Sequence, residues 1–145
     1  MQRYRLLILA GLLLMGITGC ALKPPPWISR RRPELPPNTA LVYFFRPRSP
    51  VAAAVSANVQ DTAVNLGNLA NGTYFVYHAR PGAHTFLLVT NGTANQSLRL
   101  RAGMTYYLRG RVGQEGSHFP PHLAVVSPAE GQFAIRYLER LSYGE

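Results

Sequence analysis

The sequence predicts a mainly β protein, a single β-sandwich with one C-terminal α-helix, and three observations support this prediction. About 105 residues follow residue 39, a length that gives one domain with a modest core. Short runs rich in Val, Phe and Tyr alternate with Gly, Asn and Pro turn signals at close intervals. One stretch near the C-terminus carries helix-start signals. The pattern is typical of a sandwich rather than of a parallel α/β sheet.

The strands begin at residue 40. The run ALVYFFR at residues 40–46 is nearly all apolar, which is typical of a strand covered on both faces. Weaker runs lie at residues 55–59 and 63–66, and Leu123 to Val126 forms the last strand before the helix.

Two hairpins are predicted between these strands. The first joins residues 73–78 (TYFVYH) to residues 84–90 (HTFLLVT) through the turn Arg80-Pro81-Gly82. The second joins residues 96–101 to residues 105–112 through a three-residue loop. Each hairpin would place its two strands side by side in one sheet.

The one convincing helix follows Ser127. Ser127 is a favoured N-cap residue, Pro128 suits the first helical position, and Glu130 has the spacing of a capping box. Four apolar residues then recur at helical spacing, and we expect them to dock on the sheets. These residues are Ala134, Tyr137, Leu138 and Leu141.

The second predicted hairpin offers a candidate anion-binding surface. A three-residue loop puts Arg101 opposite Thr105 and Arg99 opposite Tyr107, because this register keeps the leucines together on the other face. The polar face then carries Arg99, Arg101, Tyr107, Arg109 and Arg111. Such a face suits an anionic polymer or an acidic partner. The alternative is a solvated face whose arginines protect an edge strand from pairing.

The N-terminus predicts an export signal over residues 1–19. Arg3 and Arg5 precede an apolar run that begins at Leu6, and small residues end it. About thirteen apolar residues span roughly 20 Å as a helix, which is less than the hydrocarbon core of a bilayer. Cys20 is the only cysteine, so a disulfide within the chain is excluded.

The residues Ile17-Thr18-Gly19-Cys20 resemble the lipobox of bacterial lipoproteins, with Ile17 where leucine is usual. The resemblance implies that the Cys20 thiol receives a diacylglycerol, that the signal is cut before Cys20, and that the new amino terminus is acylated, for example with palmitate. Three acyl chains would give stable membrane attachment. Ala21, where aspartate would indicate retention in the inner membrane, implies the outer membrane, facing the periplasm.

Residues 20–39 are predicted to form a lipidated cysteine followed by a proline-rich tether. Six of the twelve prolines lie in residues 21–39, and proline favours extended conformations. Nineteen residues in that conformation reach roughly 60 Å. Arg30-Arg31-Arg32 could contact anionic lipid headgroups, or could keep a linker soluble. The folded domain is expected over residues 40–145.

Four short segments also carry a family resemblance. They are Leu41 to Pro47, Asn71 to Phe75, Pro81 to Thr85 and Ala102 to Tyr107. Their order is similar to a bacterial envelope family known only as a domain of unknown function, of the 2846 type, often found behind lipoprotein signals. The resemblance implies a transthyretin-like or carboxypeptidase-regulatory-like β-sandwich and offers no catalytic residues. Ala83 stands where that family commonly has lysine.

Enzyme chemistry finds little support. Asp61 is the only aspartate, and the five glutamates form no paired arrangement. No nucleophile elbow or phosphate loop occurs. His118 and His122 have the spacing of helical metal ligands, but the two prolines between them forbid that helix. His84 is expected to serve hairpin packing or hydrogen bonding. We predict no enzyme, cofactor or metal site.

These observations predict a lipid-anchored envelope protein that acts as a binding or scaffolding module. The alternative is a structural accessory subunit of an envelope complex, recognised through sheet edges or the C-terminal helix. Without Arg3 and Arg5 the formal net charge is +7, which favours an anionic envelope polymer or envelope protein as partner. Nucleic acid is excluded by the export signal, and the oligomeric state stays open.

Overall fold

The computed structural model of this protein describes residues 36–113 and 120–142. The described residues belong to one compact unit, Leu35–Glu145. The predicted signal, Cys20 and residues 21–35 of the proline-rich tether lie outside the described residues, and so does His118.

Within the described residues, nine strands form two sheets, and one helix precedes the last strand. The elements are β1 (Ala40–Phe45), β2 (Ala57–Asp61), β3 (Val64–Leu69), β4 (Thr73–Ala79), β5 (Gly82–Val89), β6 (Thr93–Leu100), β7 (Thr105–Arg111), β8 (His122–Val126), α1 (Pro128–Ile135) and β9 (Glu139–Arg140). Sheet A has the order β8-β7-β1-β4-β9, and sheet B has the order β3-β2-β5-β6. The prediction of a mainly β fold with one C-terminal helix is confirmed.

The core lies between the two sheets and is centred on phenylalanine. Phe44 of β1 packs against Phe75 of β4 and against Phe86 of sheet B, with ring centroids 5.3 and 5.0 Å apart. All three side chains are fully buried or nearly so. Burying one such ring stabilises the fold by about 2–3 kcal/mol. The contact between Phe44 and Phe86 therefore helps to hold the two sheets together.

Strand β1 is covered on both faces, as its apolar run predicts. Ala40, Val42 and Phe44 face the core between the sheets. The alternate residues of a strand point to the opposite face. Phe45 is nevertheless fully buried, and Tyr43 stacks on Tyr107 of β7 with ring centroids 4.9 Å apart. A second, smaller apolar layer therefore lies on the outer face of sheet A.

Both predicted hairpins are wrong. Strand β4 pairs with β1 in sheet A, whereas β5 pairs with β2 and β6 in sheet B. Likewise β6 ends in sheet B, and β7 pairs with β1 and β8 in sheet A. The turns after β4 and β6 therefore cross from one sheet to the other. Local turn signals show where a chain bends and do not specify the partner of the next strand.

The hairpins that form with short turns are β2–β3 and β5–β6, while β7 and β8 pair antiparallel across a longer connection. Thr62 turns the chain between β2 and β3 with a φ of 55°. The turn between β5 and β6 contains Asn91-Gly92, where Thr90 N–H donates to Gly92 O at 2.8 Å. Asn-Gly is a strong hairpin signal.

Helix α1 begins as predicted and ends earlier than expected. The Ser127 side chain accepts a hydrogen bond from Glu130 N–H at 3.2 Å, and Pro128 occupies the first turn. The helix ends at Ile135, and Tyr137 beyond it is 70 % exposed. The predicted docking face is therefore wrong for Tyr137. Gly131 is instead the buried helical residue, because it lies against the ring of Tyr107.

Candidate functional site

A cleft lies where two neighbouring parallel strands end. Strands β1 and β7 run parallel, with Phe45 opposite Arg109, so both reach the same edge of sheet A. Beyond that edge the two chains diverge, the first toward sheet B and the second toward β8. The divergence leaves a cleft of about 640 Å³. Its described lining is Arg46, Pro47, Ser49, Val51, Arg109, Gly110, Arg111, Val112, Gly113, Pro120 and His122.

Arg46 fixes one wall of this cleft. Its side chain follows the inward alternation of β1, is only 2 % exposed, and reaches the loop that leaves the strand. There Nη2 donates to Ala52 O at 2.7 Å and Nη1 donates to Val55 O. Burial lowers the pKa of Arg46, because a buried guanidinium loses hydration. The guanidinium therefore holds the loop in shape and adds a positive charge beneath the cleft.

The same loop is tied to the turn before β4. Ser49 N–H donates to Asn71 Oδ1 at 2.9 Å, and Asn71 Nδ2 donates back to Ser49 O at 2.9 Å. This reciprocal pair replaces hydrogen bonds that a loop would otherwise make with water. The wall carrying Pro47 and Val51 is therefore fixed at both ends.

The opposite wall comes from β7 and β8. Gly110 faces the core, where an added Cβ would lie 3.2 Å from Leu69 Cδ2, so the strand packs closely on sheet B. Arg111 lies directly opposite His122 in the β7–β8 pair. Directly opposite residues share one face of a sheet. Two exposed basic side chains therefore stand together at the rim of the cleft.

The charge at this rim has no counter-ion within the described part of the chain. Two ion pairs occur among the described residues, and they are His84–Asp61 and Arg109–Glu130. Neither Arg46 nor Arg111 has a carboxylate oxygen within 4.0 Å among those residues. The cleft therefore combines apolar walls with positive charge that no described carboxylate neutralises.

The predicted five-residue face is not formed. Arg99 alternates with the core-facing Leu98 and Leu100 of β6, so it points out of sheet B. Arg109 and Arg111 alternate with the core-facing Leu108 and point out of sheet A, on the opposite side. The hairpin register that grouped them was wrong, because β6 and β7 belong to different sheets. Arg101 lies exposed in the loop between the two strands.

Tyr107 and Arg109 serve the contact with the helix. Tyr107 is 5 % exposed, and its ring lies between Tyr43 and Gly131. Burial raises the pKa of Tyr107, because the phenolate would lose hydration. Arg109 Nη1 forms an ion pair with Glu130 of α1, while its buried Nε has no partner in the described structure. Of the five predicted residues, Arg109 and Arg111 line the cleft.

The sequence prediction missed Arg46 as a site residue. The available signal was an arginine directly after six residues of a strand covered on both faces, because a charge there needs partners. His122 was considered only as a metal ligand. It lies at the rim instead, at the start of β8.

His84 makes the hydrogen bonds expected of it, within the β5–β6 hairpin rather than the predicted hairpin of β4 and β5. Nδ1 lies 2.6 Å from Asp61 Oδ2, and Nε2 lies 2.8 Å from Arg80 O. The ring also stacks on Phe86 with centroids 5.6 Å apart. With both ring nitrogens facing acceptors, the side chain ties β2 to the β4–β5 crossing.

Two further properties of the described residues bear on function. No group of three or more His, Cys, Asp or Glu side chains among them is arranged to hold a metal ion. Within residues 36–113 and 120–142, no helix has the length and apolarity needed to cross a bilayer.

Comparison with protein families gives a match over more than half of the chain. The family described as "Protein of unknown function (DUF2846)" matches residues 36–122, which include both strands that flank the cleft. A search of curated proteins found no match.

Proposed function

Because this chain belongs to the DUF2846 family, whose description names no activity, we propose a function from the geometry of the cleft. The protein is a lipid-anchored binding module of the bacterial envelope that holds an anionic ligand in the cleft between β1 and β7. The observation that carries the proposal is the pair Arg111 and His122 at the rim, above the buried Arg46, with no carboxylate partner for either arginine among the described residues.

The overall charge supports an anionic ligand. The described residues contain nine arginines and three carboxylates, which gives a formal net charge of +6. A positive field raises the local concentration of anions and steers them toward the surface. Because Arg99 and Arg101 lie away from the cleft, they contribute to this field and not to contact with the ligand.

The anchor is proposed from the sequence alone. Residues 17–20 have the lipobox pattern, and Ala21 favours the outer membrane on its periplasmic side. An acylated Cys20 followed by an extended tether would let the domain reach ligands roughly 60 Å from the bilayer. The membrane is then the attachment site, and the cleft is the binding site.

Two measurements in the native host test this proposal. Radiolabelled palmitate should enter the wild-type protein and not the Cys20→Ala variant. A photo-crosslinking amino acid, p-benzoylphenylalanine, at Val51 in the cleft should give a defined adduct in living cells. The same group at Asn95, which is exposed on the outer face of sheet B, should give none. No palmitate label, or equal crosslinking at both positions, would contradict the proposal.

One observation favours a second candidate, a structural accessory subunit recognised through the helix. Phe133 and Tyr137 are 61 % and 70 % exposed, and their rings contact each other with centroids 5.4 Å apart. Exposed aromatic pairs are common anchors in protein interfaces. A crosslinker at Phe133 that captures one defined protein, with none captured at Val51, would favour this candidate.

A further inference from the structure

We infer that the ligand of the cleft is an amphipathic anion, with an apolar body and a single anionic group, rather than a polyanion. The inference rests on the proposed function and specifies the chemical class of its ligand. The cleft volume of about 640 Å³ lies in the range of sites that enclose small molecules.

The walls of the cleft are mainly apolar. Pro47 and Val51 stand on one side, and Val112 and Pro120 stand on the other. Val51 is 49 % exposed. Covering such side chains with an apolar body removes hydrocarbon surface from water, which is favourable for any ligand that carries one. A body made only of phosphates or carboxylates gains nothing from these walls.

Few basic side chains of the described lining can donate a hydrogen bond to the ligand. The Nη atoms of Arg46 donate to two backbone carbonyls, and its side chain is almost fully buried, so it acts through its field. The Nη1 atom of Arg109 is engaged by Glu130. Among the described lining residues, Arg111 and His122 remain, and they face each other at one end of the cleft. Two adjacent donors match one carboxylate or one phosphate group.

A long polyanion would need charges along its path. Arg99 and Arg101 cannot supply them, because Arg99 points out of sheet B and Arg101 lies in the loop after it. Arg111 therefore stands at the cleft, whereas Arg99 and Arg101 belong to a separate surface. This division favours a compact ligand over a polymer.

The test is equilibrium dialysis of the full acylated protein in phosphatidylcholine nanodiscs, with empty discs as the reference. Three probes separate the contributions of the apolar body and of the anionic charge to binding. Octanoate has both, octanamide has the apolar body alone, and tripolyphosphate has the charge alone. We expect saturable retention of octanoate. Octanamide should bind about tenfold more weakly, which is the effect of losing one charge-assisted contact.

Three variants locate the binding. Arg111→Gln should weaken octanoate binding about tenfold, and Val51→Ser should weaken it about threefold. Both side chains are exposed, so the fold should persist, and circular dichroism checks this. Arg99→Gln is the matched control on the opposite side of the molecule, and it should bind octanoate as the wild type does.

The source of the ligand is distinguished by changing the disc lipid. If the amphipathic anion comes from the bilayer, phosphatidylglycerol discs should compete with octanoate. If it is a free molecule, the change of lipid should leave octanoate binding intact.

Equal binding of octanamide and octanoate, or octanoate binding that ignores both cleft variants, would overturn the inference. Arg111-dependent retention of tripolyphosphate without octanoate would overturn it as well, while leaving an anion-binding cleft in place. Retention of neither anion would overturn the proposed function too.

Discussion

Two segments with nearly the same pattern have opposite roles in this fold. Residues 97–101 read SLRLR and residues 107–111 read YLRGR. In the first segment Arg99 is exposed to solvent on the open outer face of sheet B. In the second, Tyr107 and Arg109 lie under helix α1, and Arg111 stands at the cleft. Alternation in a strand sets which face a residue takes, while the neighbouring elements decide whether that face is covered.

The largest effect is expected where the helix meets the covered face. At Gly131, an added Cβ would lie 2.5 Å from Tyr107 Cβ and closer still to the ring. Gly131→Ala gains about 1 kcal/mol of helix propensity, but overpacking costs about 3 kcal/mol. The net loss should be about 2 kcal/mol in the free energy of unfolding, measured by chemical denaturation. Ala129→Ser, at an exposed position of the same helix, should change it by less than about 0.5 kcal/mol.

Replacing the buried Arg46 and the exposed Arg99 should change the free energy of unfolding by very different amounts. Arg46→Met leaves the carbonyls of Ala52 and Val55 without their donor, which costs about 2 kcal/mol. Arg99→Met removes an exposed charge and should be close to neutral. Equal effects of the two substitutions on the denaturation midpoint would show that Arg46 does not hold the cleft loop.

The ion pair between β7 and α1 should contribute less. The side chains of Arg109 and Glu130 are 26 % and 45 % exposed, so solvent screens their attraction. Arg109→Gln should cost about 0.5–1 kcal/mol at low salt, and the difference should shrink in 1 M NaCl. Arg99→Gln, measured in parallel, should show no salt-dependent loss. A loss for Arg109→Gln that persists in high salt would point to packing instead of charge.

The smallest effect concerns pH. Because burial raises the pKa of Tyr107 in the folded state, the unfolded chain releases this proton first. The stability linked to Tyr107 is therefore fully present below the unfolded pKa of about 10, and it is lost as the pH rises through the folded value. Tyr107→Phe should flatten the decline of unfolding free energy above about pH 10. An unchanged slope in that variant would place the alkaline loss elsewhere.

The sequence predicts the covered strand and the helix start well, since both depend on local chemistry. The run at Ala40–Phe45 is apolar on both faces, and Ser127 with Pro128 defines a helix N-terminus. The partners of the four strands from β4 through β7 were not predictable in this way. Gly82 and Gly103, both at positive φ, mark bends, and a bend is equally compatible with a hairpin and with a crossing between sheets.

The candidate site was predictable only in part. Arg111 was identified from its charge, but its neighbour His122 comes from a strand whose partner the sequence does not specify. Arg46 is distinguished by two carbonyl groups six and nine residues further along the chain. Such contacts depend on how a loop folds back, and no periodic pattern encodes them.

In this account the cleft binds the ligand, and the outer face of sheet B, which carries Arg99, does not. The most direct measurement is an amide chemical-shift map of the acylated protein in nanodiscs during titration with octanoate. We predict shifts confined to the loop after Arg46, to Gly110–Gly113 and to His122, with none along Thr93–Leu100. Shifts that follow Arg99 and Arg101 and spare the cleft would contradict the account.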